Sequence, residues 1–191
     1  MTRPSTRSST ARAAGFGLAL LLPGLGSAAC LSSAPPAPPV RWFDPSPAAP
    51  AGDPVPVAAL LRVVAPSHLG TELLLRTGVR EFVFDAEHQW IVPPTELVAT
   101  ALQAGFRFTP DASAELQVTV ERFELDLTVE PRAVVRLHLV DAPAGWPERV
   151  EGSAAAADRS PAALAASMAS ALADVVQRLR SASSRGTASG V

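Results

Sequence analysis

No lysine and no tyrosine occur in the 191 residues, and cysteine occurs once, at Cys30. A single cysteine excludes an internal disulfide and any paired-cysteine redox or zinc motif. Arginine supplies all 16 basic residues, a bias that goes with the abundant Ala and Pro of a GC-rich coding sequence and to which no function attaches. Aromatics make up only 5% of a chain that is 48% hydrophobic, so a core has to be built mostly from Ala, Val and Leu. A basic excess is missing too. Setting aside Arg3, Arg7 and Arg12 leaves 13 basic against 18 acidic residues, a net charge of −5, and an acidic domain does not attract nucleic acid. Also absent are the GxSxG elbow, the HExxH helix, the P-loop and CxxC pairs. The length fits one domain.

What is present begins with a leader. Arg3, Arg7 and Arg12 precede a short apolar run at residues 13–22, then Pro23, Gly24 and small residues up to Cys30. The run is shorter than the ~20 residues a spanning helix needs, so residues 1–29 read as a signal peptide. Residues 27–30, SAAC, resemble a bacterial lipobox, with Ser27 where Leu is usual. Two readings of Cys30 follow: lipid attachment at the cleavage point, or a free thiol left by ordinary cleavage after Ala29. Lipidation is favoured, because the cysteine falls where the apolar segment ends. Leu31, rather than Asp, follows it, which points to the outer membrane. Nine of residues 31–56 are proline. Such a segment favours polyproline II and reaches on the order of 80 Å, so residues 30–56 read as a lipidated cysteine and a tether. Trp42 and Phe43 interrupt it, either as a docking pair or, preferably, as a short first edge strand.

Residues 57–180 are expected to fold. A nearly continuous apolar run at 57–65 predicts a strand buried on both faces. Residues 72–78 and 79–87 predict a hairpin turning at Thr77-Gly78, with Phe82 and Phe84 facing inward. Pro93-Pro94 open a helix over 94–104, with Gly105 as its C′ glycine. In 115–129, Leu116, Val118 and Val120 alternate with polar residues, and so do Phe123, Leu125 and Leu127, but the phase slips at Glu121-Arg122. A β-bulge keeps both sets on one face. Residues 132–140 place Val135, Leu137 and Leu139 inward, with Arg136 and His138 outward. A weaker strand at 147–156 precedes a helix over 161–180, striped by Leu164, Met168, Leu172, Val175 and Leu179 and capped by Ser160. Residues 181–191 are expected to be a disordered tail. The order β-ββ-α-βββ-α predicts an α+β two-layer domain, a mostly antiparallel or mixed sheet with two helices packed on it.

One stretch holds candidate chemistry: Asp85, Glu87 and His88 beside Trp90. On a regular strand Asp85 and Glu87 share a face and His88 points away, so the three do not converge without a break in the strand. His68 and His138 lie in other elements. No catalytic, metal or cofactor site is expected.

At this corner the chain resembles the ABC-type transport auxiliary lipoproteins. The resemblance rests on LLRVVAPSHL, then EFVFDAEHQWIVPP, the helix TELVATAL, the long strand ELQVTVERFELDL and the Ala-rich helix PAALAASMASALADVV, in that order over roughly residues 40–180. It implies a non-enzymatic lipoprotein, anchored to the outer membrane through Cys30. Its implied partners are an MCE-domain protein and the associated permease and ATPase of a system that moves lipids or hydrophobic molecules between two membranes, with homo-oligomer formation also implied. Trp90, with His88, Gln89, Pro93 and Pro94, is the candidate decisive corner, through core packing or through partner contact. The alternative is a periplasmic adaptor of another envelope machine, in outer-membrane assembly or cell-wall enzyme activation.

Overall fold

The computed structural model describes residues 37–188, with side chains through Arg185. The expected signal peptide over 1–29 and the expected lipidation at Cys30 lie outside the described residues. The compact unit begins at Ala37. It is α+β, and its described residues form nine strands and two helices: β1 Arg41–Phe43, β2 Val55–Val57, β3 Leu60–Val64, β4 Glu72–Arg76, β5 Phe82–Trp90, α1 Pro94–Gly105, β6 Phe106–Phe108, β7 Glu115–Asp126, β8 Arg132–Val140, β9 Arg149–Ala155 and α2 Pro161–Ala188.

Seven strands make one mixed sheet in the order β1-β5-β4-β7-β8-β9, and β3 pairs with β7 outside that path. β2 and β6 form a separate parallel pair. The centre is β7, twelve residues long. Its register against β8 shifts between Val120 and Arg122, which is the bulge the alternation predicts. The shift turns Leu116, Val118, Val120, Phe123 and Leu125 to one side, where all are buried. Ala133, Val135, Leu137 and Leu139 of β8 lie opposite them. Both helices close this inner face, α2 over β8 and β9, α1 over β3 and β7 and against α2. The predicted stripe of α2 is wholly buried, and the Ser160 hydroxyl accepts from the Ala163 amide at 3.3 Å. Among the described residues no helix lies on the opposite face of the sheet.

Several expectations need correcting. Arg41–Phe43 is the short edge strand preferred for Trp42 and Phe43, pairing in parallel with His88–Trp90 while the Ile91 amide donates to the Phe43 carbonyl at 2.9 Å, so the tether does not run unbroken to residue 56. The tether reading fails at Val55 and Pro56, which belong to β2. Residues 57–65 are not one doubly buried strand. Val57 closes β2, and after a bend β3 runs at the margin of the sheet, paired with β7 alone and half-exposed. Gly105 is the last residue of α1, not a left-handed cap. Phe106 caps the helix in extended conformation, and Gly105 instead allows Val176 of α2 to approach. The tail reading fails through Ala188, because α2 continues. Ala182 is buried, and the Ser183 hydroxyl accepts from the Trp146 indole at 2.6 Å, so partners fix residues whose composition reads as polar linker.

Phe82 and Phe84 are the largest departure. They pair with Arg76 and Leu74 and face the uncovered side of the sheet, 42% and 49% exposed. Period-2 alternation puts them on one face but does not say which face the helices cover.

Candidate functional site on the open face

The corner that the sequence singles out resolves into packing. Trp90 is 1% exposed and meets Phe123 edge-on, centroids 5.7 Å apart. Pro93 and Pro94 start α1, with the Pro93 carbonyl accepting from the Glu96 and Leu97 amides. Phe43 is partly buried and lies 5.8 Å from the His88 ring. Trp42 alone of these residues is open to solvent, at 55%.

Asp85 and His88 do meet, contrary to the expectation for a regular strand. The register of β4 against β5 jumps from Glu72↔Gln89 to Leu73↔Asp85, so residues 86–88 loop out. The Asp85 carboxylate accepts from the Glu87 and His88 amides and lies 2.8 Å from His88 Nδ1. Glu87 stays exposed. Among the described residues no third His, Cys, Asp or Glu joins such a pair into a metal-holding group. The pair closes a bulge.

The site that the sequence did not indicate lies on the open face, where β7 changes partners. β3 accompanies β7 through Thr119, and β4 takes over at Leu125. The connection between β3 and β4 crosses the intervening gap and brings His68 and Leu69. A hollow of about 360 Å³ results, lined by His68, Leu69, Leu74, Phe82, Phe84 and Phe123 beside an ion cluster. Only the exposed aromatic pair left a trace in the sequence.

The cluster is centred on Glu124, 3% exposed. Arg76 grips it with two bonds, Nε to Oε1 at 2.7 Å and Nη2 to Oε2 at 3.1 Å. Arg122 donates from Nε at 3.1 Å and from Nη2. Arg122 also approaches Glu151 at 3.7 Å, and Arg136 holds Glu151 at 2.7 Å. The Arg76 guanidinium lies 4.3 Å over the Phe82 ring, a cation–π contact that sets one wall of the hollow. Alongside, Arg132 pairs with Asp126 at 3.3 Å. Such a network supplies fixed charge and shape.

Burial pushes the Glu124 carboxyl up, but the hydrogen bonds from Arg76 and Arg122 outweigh it and hold the group below the usual carboxylate range. Asp126 behaves alike: burial raises it, while Thr128 and Arg132 lower it further. A carboxylate whose folded pKa is depressed contributes stability above its unfolded value, about 4.3 for Glu and 3.9 for Asp, and that contribution is lost as pH falls through the folded value. Urea midpoints should therefore hold steady from neutrality to about pH 5 and drop below about pH 4. Glu124→Gln should cost on the order of 2 kcal/mol at pH 7, less than a fully buried pair because both arginines are partly exposed, and should flatten the acid limb. Parallel acid limbs in variant and parent would remove Glu124 from this role.

No family model and no curated protein sequence matches this chain. Among solved structures, the crystal structure of protein XCC0632 from Xanthomonas campestris, described under the family model DUF330, superposes with a TM-score of 0.57 at 20% identity, over 81% of this chain and 98% of that one. The crystal structure of an uncharacterized protein superposes with a TM-score of 0.46 at 12% identity, over 80% and 99% of the two chains. At such identity the likeness to XCC0632 establishes a shared fold: this chain has the α+β fold of that DUF330 protein.

Proposed function

We propose that the chain is a periplasmic lipoprotein, anchored to the outer membrane through Cys30, that serves as a non-catalytic auxiliary component of an ABC/MCE-type system moving lipids or other hydrophobic molecules between membranes. The reading rests on the order of motifs along residues 40–180, from the leading strand through Trp90 and Pro93-Pro94 to the Ala-rich last helix. The geometry that supports a platform role is the uncovered sheet face. There the half-exposed pair Phe82 and Phe84 adjoins an ion cluster whose donors are engaged with one another. Exposed aromatics beside arginines are the anchor chemistry of protein interfaces. Arg41–Phe43 places the incoming chain at one sheet edge.

The test is affinity purification of the full chain from detergent-solubilised envelopes. Recovery of an MCE-domain protein with its permease is expected, and Cys30→Ser should shift the chain from the membrane to the soluble fraction. Recovery of cell-wall synthases or outer-membrane assembly proteins in their place would favour the adaptor reading. An unchanged membrane fraction in Cys30→Ser would remove the anchor.

A further inference from the structure

We propose that the open-face hollow binds one acyl chain of an anionic single-chain amphiphile, with the chain against Leu74, Phe84 and Phe123 and the head group over Arg122 and Arg136. The inference goes beyond the transport reading and does not depend on which envelope machine the chain serves.

Three observations carry it. First, the hollow has the size and character of a small-ligand site. At about 360 Å³ it stands near the lower end of the ~300–1,000 Å³ usual for such sites, which suits one chain rather than two. Its apolar walls come from β4, β5, β7 and the crossing connection, and at its depth it reaches Phe123, the inner-face residue that packs against Trp90.

Second, the polar groups on its rim are occupied. Arg76 and Arg122 each turn Nε and Nη2 to Glu124, and Arg76 also donates from Nη1 to the Val79 carbonyl at 3.0 Å. A sugar, a nucleotide or a peptide backbone entering the hollow would lose its hydrogen bonds to water and find few replacements. A hydrocarbon chain has none to lose.

Third, the charge on the shared wall is not balanced. A second hollow, about 710 Å³, adjoins the first across Arg76 and Arg122 and includes Arg136. These three guanidiniums share two carboxylates, Glu124 and Glu151, leaving one positive charge in excess. Glu121, which lines the first hollow, is matched by Arg149, and Asp126, which lines the second, is matched by Arg132. A monoanionic head group next to an apolar tail is complementary to that pair of hollows.

The experiment uses the full chain carrying Cys30→Ser, so that no attached acyl group competes, titrated calorimetrically with octanoate, decanoate and dodecanoate below their micelle concentrations. Affinity should rise about fourfold per added methylene, as for any buried CH₂, and level off when the hollow is full. Intrinsic emission, to which Trp90 contributes beside Trp42 and Trp146, should shift in step, because Trp90's neighbour Phe123 lines the site. Phe84→Glu changes a half-exposed position, so the fold should persist, and dodecanoate should bind at least tenfold more weakly. Ile91→Glu, exposed and outside both hollows, should bind as the parent does. Arg136→Gln should narrow the preference for dodecanoate over dodecanol while leaving dodecanol affinity in place. Affinity that is flat with chain length, or equal in Phe84→Glu and parent, overturns the proposal. So does concentration-dependent self-association abolished by Phe84→Glu without fatty-acid binding, which would make this face a contact between copies. None of these outcomes bears on the envelope pull-down.

Discussion

Gly152→Ala is expected to destabilise the fold by about 3 kcal/mol or more, although it adds a single methyl group. Gly152 lies in β9 opposite Val135, directly beneath α2. A Cβ there would overlap the carbonyl oxygen of Ala171 and lie 2.7 Å from Val175 Cγ2 and 2.9 Å from the Val175 amide nitrogen. Two of those three neighbours are backbone atoms of a helix whose stripe is buried along its length, so no rotamer change relieves the overlap. The helix has to rise or shift on the sheet. Overpacking usually costs about 1–3 kcal/mol, and a backbone obstacle belongs at or above the top of that range. Gly105→Ala is the control. There the overlapping atom is Val176 Cγ1, a side-chain methyl, so the loss should be smaller and should be largely recovered in the double variant with Val176→Ala. Urea unfolding at constant m-value checks both. Equal losses for Gly105→Ala and Gly152→Ala would mean that α2 is not held at the distance described.

The contrast between these glycines shows what the sequence reveals. Gly105 follows an amphipathic run and reads locally as a helix stop, whereas its role depends on a helix some seventy residues away. The bulge at Glu121-Arg122 was legible because a phase slip in apolar alternation has few other causes. The stripe of α2 was legible for the same reason of period. Features set by long-range pairing were not. The inward or outward sense of Phe82 and Phe84 depends on which face the helices cover. The Asp85–His88 contact depends on a register jump against β4. β1 reads as a short edge strand, but its parallel partner at His88–Trp90 was not legible. The hollow is the space left where β3 and β4 share one edge of β7, so no local pattern encodes it. Of its ion cluster only Arg122 is marked in the sequence, as part of the phase slip; nothing local places Arg76 beside it or shows that Glu124 is buried.

Trp90→Ala should be the most damaging change outside the helix–sheet contact, costing about 3–5 kcal/mol, a large part of the 5–15 kcal/mol typical of a domain. Its indole is fully buried. It packs edge-on against Phe123, and its strand position joins β1 to the sheet through Phe43↔Trp90. Its amide donates to Thr71 at 2.7 Å, so side chain and backbone fix the corner from both directions. A double-mutant cycle with Phe123→Ala should return a coupling of about 0.5–1.5 kcal/mol, the usual range for an aromatic pair. Trp42→Ala, on an exposed edge, should change stability by less than about 0.5 kcal/mol. The comparison separates the two roles the sequence left open for this corner. If Trp90→Ala retains parental stability and loses only a partner, Trp90 is an interface residue and the packing described around it is wrong. If it loses stability as expected, Trp90 is a packing residue, and the aromatics left open to solvent are Trp42 at the edge and Phe82 and Phe84 on the uncovered face.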